Sequence, residues 1–219
     1  MDSPRALPSP VRFWDGVAGQ KHFSHPLNTE WLTRHHVSAH ALILDFGCGY
    51  GRTLAELVLA GYDDVIGLDF SSRMLARCHS LLPDVSLAQN YDQALPLRNH
   101  SVDLVLLFAV LTCLPRDDDQ RALLREIARV LRPGGLLYIS DLLLNSDSRN
   151  LERYARYAAE YGAYGIFELP EGVILRHHKK DWIDKLTASF TSLEFQPFEA
   201  ATMNGNTSAA FQYLGRAPM

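Results

Sequence analysis

Leu42-Ile43-Leu44-Asp45-Phe46-Gly47-Cys48-Gly49-Tyr50-Gly51-Arg52-Thr53-Leu54 decides the fold of this chain. An apolar run meets an acid, and three alternating glycines follow before helical character begins. Leu42 to Leu44 read as a buried strand. Gly47, Gly49 and Gly51 remove side chains where the backbone must turn sharply and approach a ligand. The helix starting near Arg52 then offers unpaired N–H groups to a negatively charged group.

The spacing narrows the ligand. A dinucleotide loop wants G-x-G-x-x-G, and a phosphate loop of the G-x-x-x-x-G-K type wants a lysine where this chain has Arg52-Thr53. A second strand, Val65-Ile66-Gly67-Leu68, ends in Asp69, where an acid is placed to accept hydrogen bonds from ribose hydroxyls.

Working outward, strands are expected at 42–46, 64–69, 84–89, 102–109 and 135–141, and helices at 52–60, 72–81 and 118–130. Such alternation implies parallel pairing through right-handed crossovers. Upstream, Asn28 is an expected helix N-cap with Trp31 and Leu32 on the buried side. Downstream come a helix from Arg149 to Tyr161 with a stripe of Tyr154, Tyr157 and Tyr161, and a hairpin around Pro170-Glu171-Gly172. A helix near Lys180 to Phe190 and strands at about 192–203 and 208–215 close the chain. Residues 1–10 read as a flexible tail, and 11–219 as one domain.

Further blocks follow the glycine loop in order: Leu95-Pro96-Leu97, Ser101-Val102-Asp103-Leu104-Val105, Leu124 to Leu131, then Arg132-Pro133-Gly134-Gly135 and Leu136-Leu137-Tyr138-Ile139. As a set, over roughly residues 40 to 142, they resemble the class I S-adenosylmethionine-dependent methyltransferases of small-molecule type. The resemblance implies an α/β, Rossmann-like, doubly wound fold: a mainly parallel seven-stranded sheet with an antiparallel last strand and helices on both faces. It also implies S-adenosylmethionine as cofactor, S-adenosylhomocysteine as product, and a small-molecule methyl acceptor.

Carried over residue by residue, Asp45 would hold the amino end of the methionine part. Gly47, Cys48 and Gly49 would give the backbone approach, and Asp69 would take the ribose hydroxyls. Phe70 and Met74 would pack near the adenine, Tyr91 or Asp92 would read its amino group, and Phe108 and Ala109 would border the methyl. Trp14 resembles the aromatic that leans over the methionine end in such enzymes. Substrate cover is expected from segments of about 11–38 and 145–180, with His22, His25, Tyr157, Tyr161, Tyr164 and Arg176 as substrate candidates. Arg176 would pair with a substrate carboxylate or with Glu168 across the hairpin.

Methyl transfer needs alignment first and a base only for some acceptors. His177 and His178 are the candidates for that base. Adjacent histidines in a strand point to opposite faces, so they make a poor metal pair, and no metal is expected. Plain structural readings stay open beside these: Asp45 and Asp69 as helix caps, Phe70 and Met74 as a core pair at i, i+4, Trp14 and the histidines as packing groups, and Asp103 as a structural acid.

The 219 residues carry Lys+Arg 21 against Asp+Glu 25, so no broad attraction to nucleic acid is expected. Cys48, Cys78 and Cys113 form no C-x-x-C pair, which argues against a zinc knuckle or a disulfide framework. With no leader-like start and no membrane-length apolar run, the expectation is a cytoplasmic monomer or homodimer. Alternative readings are a nucleic-acid or protein methyltransferase working with a partner, and a non-catalytic S-adenosylmethionine-binding module.

Overall fold

The computed structural model describes residues 10–19, 24–91 and 94–219. Nine residues of the expected tail, together with His22 and Asp92, lie outside these. The chain runs α1 (Pro10–Val17), α2 (Thr29–Arg34), β1 (Ile43–Phe46), α3 (Arg52–Leu59), β2 (Val65–Asp69), α4 (Ser72–Leu81), β3 (Ser86–Gln89), β4 (Val102–Phe108), a single 3-10 turn, α5 (Asp117–Val130) and β5 (Leu131–Leu142). It continues with α6 (Ser148–Tyr161), the small hairpin β6 (Ile166–Glu168) and β7 (Ile174–Arg176), α7 (Lys180–Leu186), β8 (Thr191–Ala201) and β9 (Thr207–Arg216).

Seven strands form one sheet in the order β3-β2-β1-β4-β5-β9-β8. The first five pair in parallel, and β9 runs antiparallel between β5 and β8. This is a Rossmann-like doubly wound sheet with one antiparallel strand, as the resemblance implies. Parallel strands covered on both faces must be apolar on both faces, and β4 is: Val105 and Leu107 enter one core cluster, Leu104 and Leu106 the other. Each such fully buried leucine is worth about 1.5–3 kcal/mol relative to exposure.

Polar groups fix the sheet at its non-functional end. Asp103 accepts the Leu42 amide at 2.8 Å and pairs with Arg132 at 2.6 Å, a structural role. On the other side Gln120, fully buried on α5, donates to the carbonyls of Leu111 and Leu114 and accepts from the Trp182 indole at 2.6 Å. Its amide also meets His178 Nε2 at 2.9 Å.

Three expectations need correcting. Asn28 precedes α2, yet its side chain makes no cap hydrogen bond; its amide donates instead to the Tyr138 hydroxyl at 3.1 Å. β5 begins four residues earlier than 135, because Leu131 pairs with Val102 before the register shifts past Pro133 and Gly134. α7 ends at Leu186, where Thr187 turns its hydroxyl back onto the Ile183 carbonyl. Among the described residues no helix is long and apolar enough to cross a membrane.

Candidate active site

The carboxyl ends of β1, β2, β3, β4 and β5 converge where open α/β sheets receive ligands. After β1 the chain passes through Gly47, Gly49 and Gly51, all with positive φ (77°, 54° and 86°). Their reasons differ. A side chain on Gly47 would sit 2.6 Å from Val110, and one on Gly51 would collide with the Cys78 sulfur. A side chain on Gly49 would meet nothing within 4 Å, so this glycine leaves open space at the ligand end of the loop.

Asp69, at the end of β2, ties the loop to the next helix. One of its carboxylate oxygens accepts the Gly49 amide at 2.8 Å, and the other accepts the Ser71 amide at 2.8 Å. Burial raises its pKa against these bonds. Asp45 lies deeper, 1% exposed, and its Oδ2 has no hydrogen-bond partner among the described residues. Burial is the main reason its pKa rises to about 7, opposed by the Arg52 charge.

Above these groups lies a cavity of about 420 Å³. Gly47, Cys48, Gly49, Asp69, Phe70, Met74, Tyr91, Phe108, Ala109 and Trp14 all line it. Asp45 does not itself line it. Trp14 comes from α1, which the buried Ser71 hydroxyl anchors to α4 through Asp15 at 2.6 Å.

A second chamber of about 110 Å³ abuts the first and shares Trp14, His25, Ala109 and Cys113 with it. His25 therefore stands in the wall between the two. It is 6% exposed, and its Nδ1 meets the Ser140 hydroxyl at 3.0 Å at the end of β5. Burial, with the charge of Arg52, lowers its pKa to about 4, so the ring is neutral at physiological pH. Cys113 is held as a thiol, its pKa raised chiefly by burial.

The expected base candidates part company. His177 lines the smaller chamber, with Nδ1 at 2.6 Å from the Tyr154 hydroxyl and a pKa well below the usual value through burial. His178 is sealed in the core: Gln120 Nε2 donates to Nε2, Nδ1 meets the Leu142 carbonyl at 3.2 Å, and burial takes its pKa to about 3. With both nitrogens engaged it cannot take a substrate proton, and its role is structural.

Arg176 also departs from expectation. Its guanidinium is buried and held by Asp117 at 2.6 Å and the Pro115 carbonyl at 3.0 Å, so it pairs with neither Glu168 nor a ligand in either chamber. The hairpin register puts Arg176 opposite Ile166 and Glu168 opposite Ile174, at opposite ends. Tyr157, Tyr161 and Tyr164 line neither chamber. Tyr154 and Tyr157 pack instead with Phe167, Val173 and Leu175 in a cluster at the hairpin, while the Tyr161 hydroxyl meets Glu168 at 3.4 Å. What α6 does send to the smaller chamber is Arg149 and Arg153, which sequence reading passed over. Their spacing, i and i+4, was the signal available.

The chain matches the methyltransferase domain family over residues 44–139. It is 31% identical over 195 residues to a ubiquinone biosynthesis O-methyltransferase of Xanthomonas oryzae pv. oryzae, an alignment covering 84% of this chain and 76% of that protein. A probable S-adenosylmethionine-dependent methyltransferase of Mycobacterium tuberculosis is 36% identical over 118 residues, 50% of this chain and 42% of that one. In structure, an S-adenosylmethionine-dependent methyltransferase from Methanosarcina mazei superposes with a TM-score of 0.80 at 23% identity, covering 86% of this chain and 97% of that chain. The glycine loop, the acids ending β1 and β2, and the kinship over four fifths of the chain carry one conclusion: this protein belongs to the class I S-adenosylmethionine-dependent methyltransferases.

Proposed function

We propose that the protein methylates a hydroxyl oxygen of a small organic molecule, with the cofactor in the larger chamber and the acceptor entering from the smaller. The observation that carries this reading is His25, a buried neutral imidazole in the wall between the chambers. The O-methyltransferase name of the Xanthomonas relative supports oxygen as the accepting atom.

The residues present suit S-adenosylmethionine. The orphaned Asp45 Oδ2 suits a cationic amino group, and the space at Gly49 suits close approach to backbone. Asp69 has lone pairs beyond those used by Gly49 and Ser71 for ribose hydroxyls. Phe70, Met74 and Tyr91 offer an apolar and aromatic wall to the adenine, while Trp14, Phe108 and Ala109 enclose the reacting end. When bound, the cofactor supplies an electrophilic methyl on a sulfonium that departs as a neutral thioether.

The protein's part is alignment and proton handling. Ser140 occupies Nδ1 of His25, which leaves Nε2 to accept the hydroxyl proton as the acceptor oxygen uses its lone pair to bond carbon. A ring kept neutral by burial is ready for that at any physiological pH. The apolar walls exclude the water that would compete for the methyl. The segments of about 11–38 and 145–180 act as the substrate cover.

His25→Ala is the test. The expected result is a fall in kcat of about 100-fold with the S-adenosylhomocysteine Kd unchanged, measured by calorimetry beside a methyl-transfer assay on a panel of hydroxylated metabolites. Equal loss of cofactor affinity, or an unaltered kcat, would overturn the role.

A further inference from the structure

The smaller chamber carries charge that the methyl-transfer chemistry does not use. Arg149 and Arg153 both line it, one helical turn apart on α6, and among the described residues no acidic one does. Like charges at this spacing repel; Arg149 is half exposed to solvent, whereas Arg153 is partly buried, where a counter-charge matters more.

The protein supplies little of one. Asp147 stands 3.8 Å from Arg149 Nε, beyond hydrogen-bond distance, and its oxygens are taken by the Asn150 amide and side chain as the cap of α6. Arg153 has no ion pair among the described residues, and its Nε is buried without a hydrogen-bond partner. Arg176, which is buried, does have its acid, Asp117. Arg153 is nonetheless held in place, its guanidinium 3.4 Å from the centre of the Phe167 ring. A planar cation fixed against an aromatic face is preorganised to take a planar anion.

The rest of the chamber is consistent with a small acid. Phe167, Leu169, Leu175 and Met203 give apolar contact, and His25 and Trp14 line it as well, shared with the larger chamber. Resting on the methyl-transfer reading above, we propose that the acceptor is a carboxylate-bearing molecule: Arg149 and Arg153 hold its acid group, and its hydroxyl reaches His25 at the shared wall.

The test uses the whole protein saturated with S-adenosylhomocysteine, with benzoate, 4-hydroxybenzoate and phenylacetate as probes beside their amides, titrated by calorimetry. The cofactor titration that precedes it reports separately on the methyltransferase site. At least one carboxylate is expected to bind about tenfold or more tightly than its amide, the worth of a charge-assisted pair. That preference is expected to vanish in Arg149→Gln/Arg153→Gln while S-adenosylhomocysteine affinity and far-ultraviolet dichroism stay unchanged. Arg153→Lys, which keeps the charge and loses the planar fork, is expected to retain part of it. Failure of every carboxylate to bind at millimolar concentration, or a preference that survives in the double variant, would overturn the proposal even with the cofactor bound. Should the double variant lose its fold, the wild-type comparison of acid with amide and the single variant decide.

Discussion

At Asp45 the proposed role makes a prediction about pH. Its folded pKa, raised to about 7 chiefly by burial, exceeds the ordinary value of 3.8. The free protein therefore loses stability as pH rises between those values, because ionisation leaves a buried charge uncompensated. In the proposed complex a cationic amino group would reverse the balance by favouring the ionised form. S-adenosylhomocysteine affinity is expected to rise about tenfold between pH 6 and pH 8, and Asp45→Asn is expected to flatten the profile. A flat wild-type profile in calorimetry would remove Asp45 from the amino end of the cofactor. At this scale the loop was largely legible. The glycines announce a turn under a ligand, because glycine takes positive φ without strain and lets another group approach the backbone, and Asp45 and Asp69 mark the strand ends beside it. The difference between Gly49, which faces open space, and Gly47, which faces Val110, was not legible, since Val110 is 63 positions away and arrives only with β4.

At the scale of elements, the join between α1 and α4 carries a prediction. Ser71 caps α4 by accepting the Met74 amide at 3.1 Å, and its hydroxyl donates to Asp15 on α1 at 2.6 Å. Ser71→Ala is expected to cost about 1 kcal/mol of stability in urea unfolding, the usual worth of a cap. It is also expected to weaken S-adenosylhomocysteine binding, because α1 carries Trp14 into the cavity wall. Stability falling without any change in affinity would separate the cap from the site. Helix α4 itself was readable to the residue at 72–81, where a serine cap precedes a clear apolar period. Helix α6 was readable as a helix but not as to which stripe faces the chamber. Its tyrosines and its arginines are both amphipathic, and the β6–β7 hairpin, packed against α6, claims Tyr154 and Tyr157.

Across the whole molecule, His178 links the carbonyl of Leu142 on β5 to Gln120 on α5, and through it to Trp182 on α7. Its folded pKa of about 3 lies below the unfolded 6.5, so the stability it contributes is complete above pH 6.5 and drains away as pH falls toward 3. The gap in unfolding free energy between wild type and His178→Gln is expected to narrow by about 1.4 kcal/mol per pH unit below 6.5. A gap independent of pH in denaturant titrations would mean that His178 is charged in the fold. The sequence by itself determined the alternation of strands and helices, the parallel core, the glycine loop and the acids that flank it. These follow from local periodicity and backbone sterics, which neighbouring residues carry among themselves. Only the tertiary structure decided that His25 stands between two chambers, that Arg176 is neutralised while Arg153 is not, and that His178 is sealed away. Each of those outcomes depends on partners tens of residues distant, and burial and charge are set by what the fold brings near.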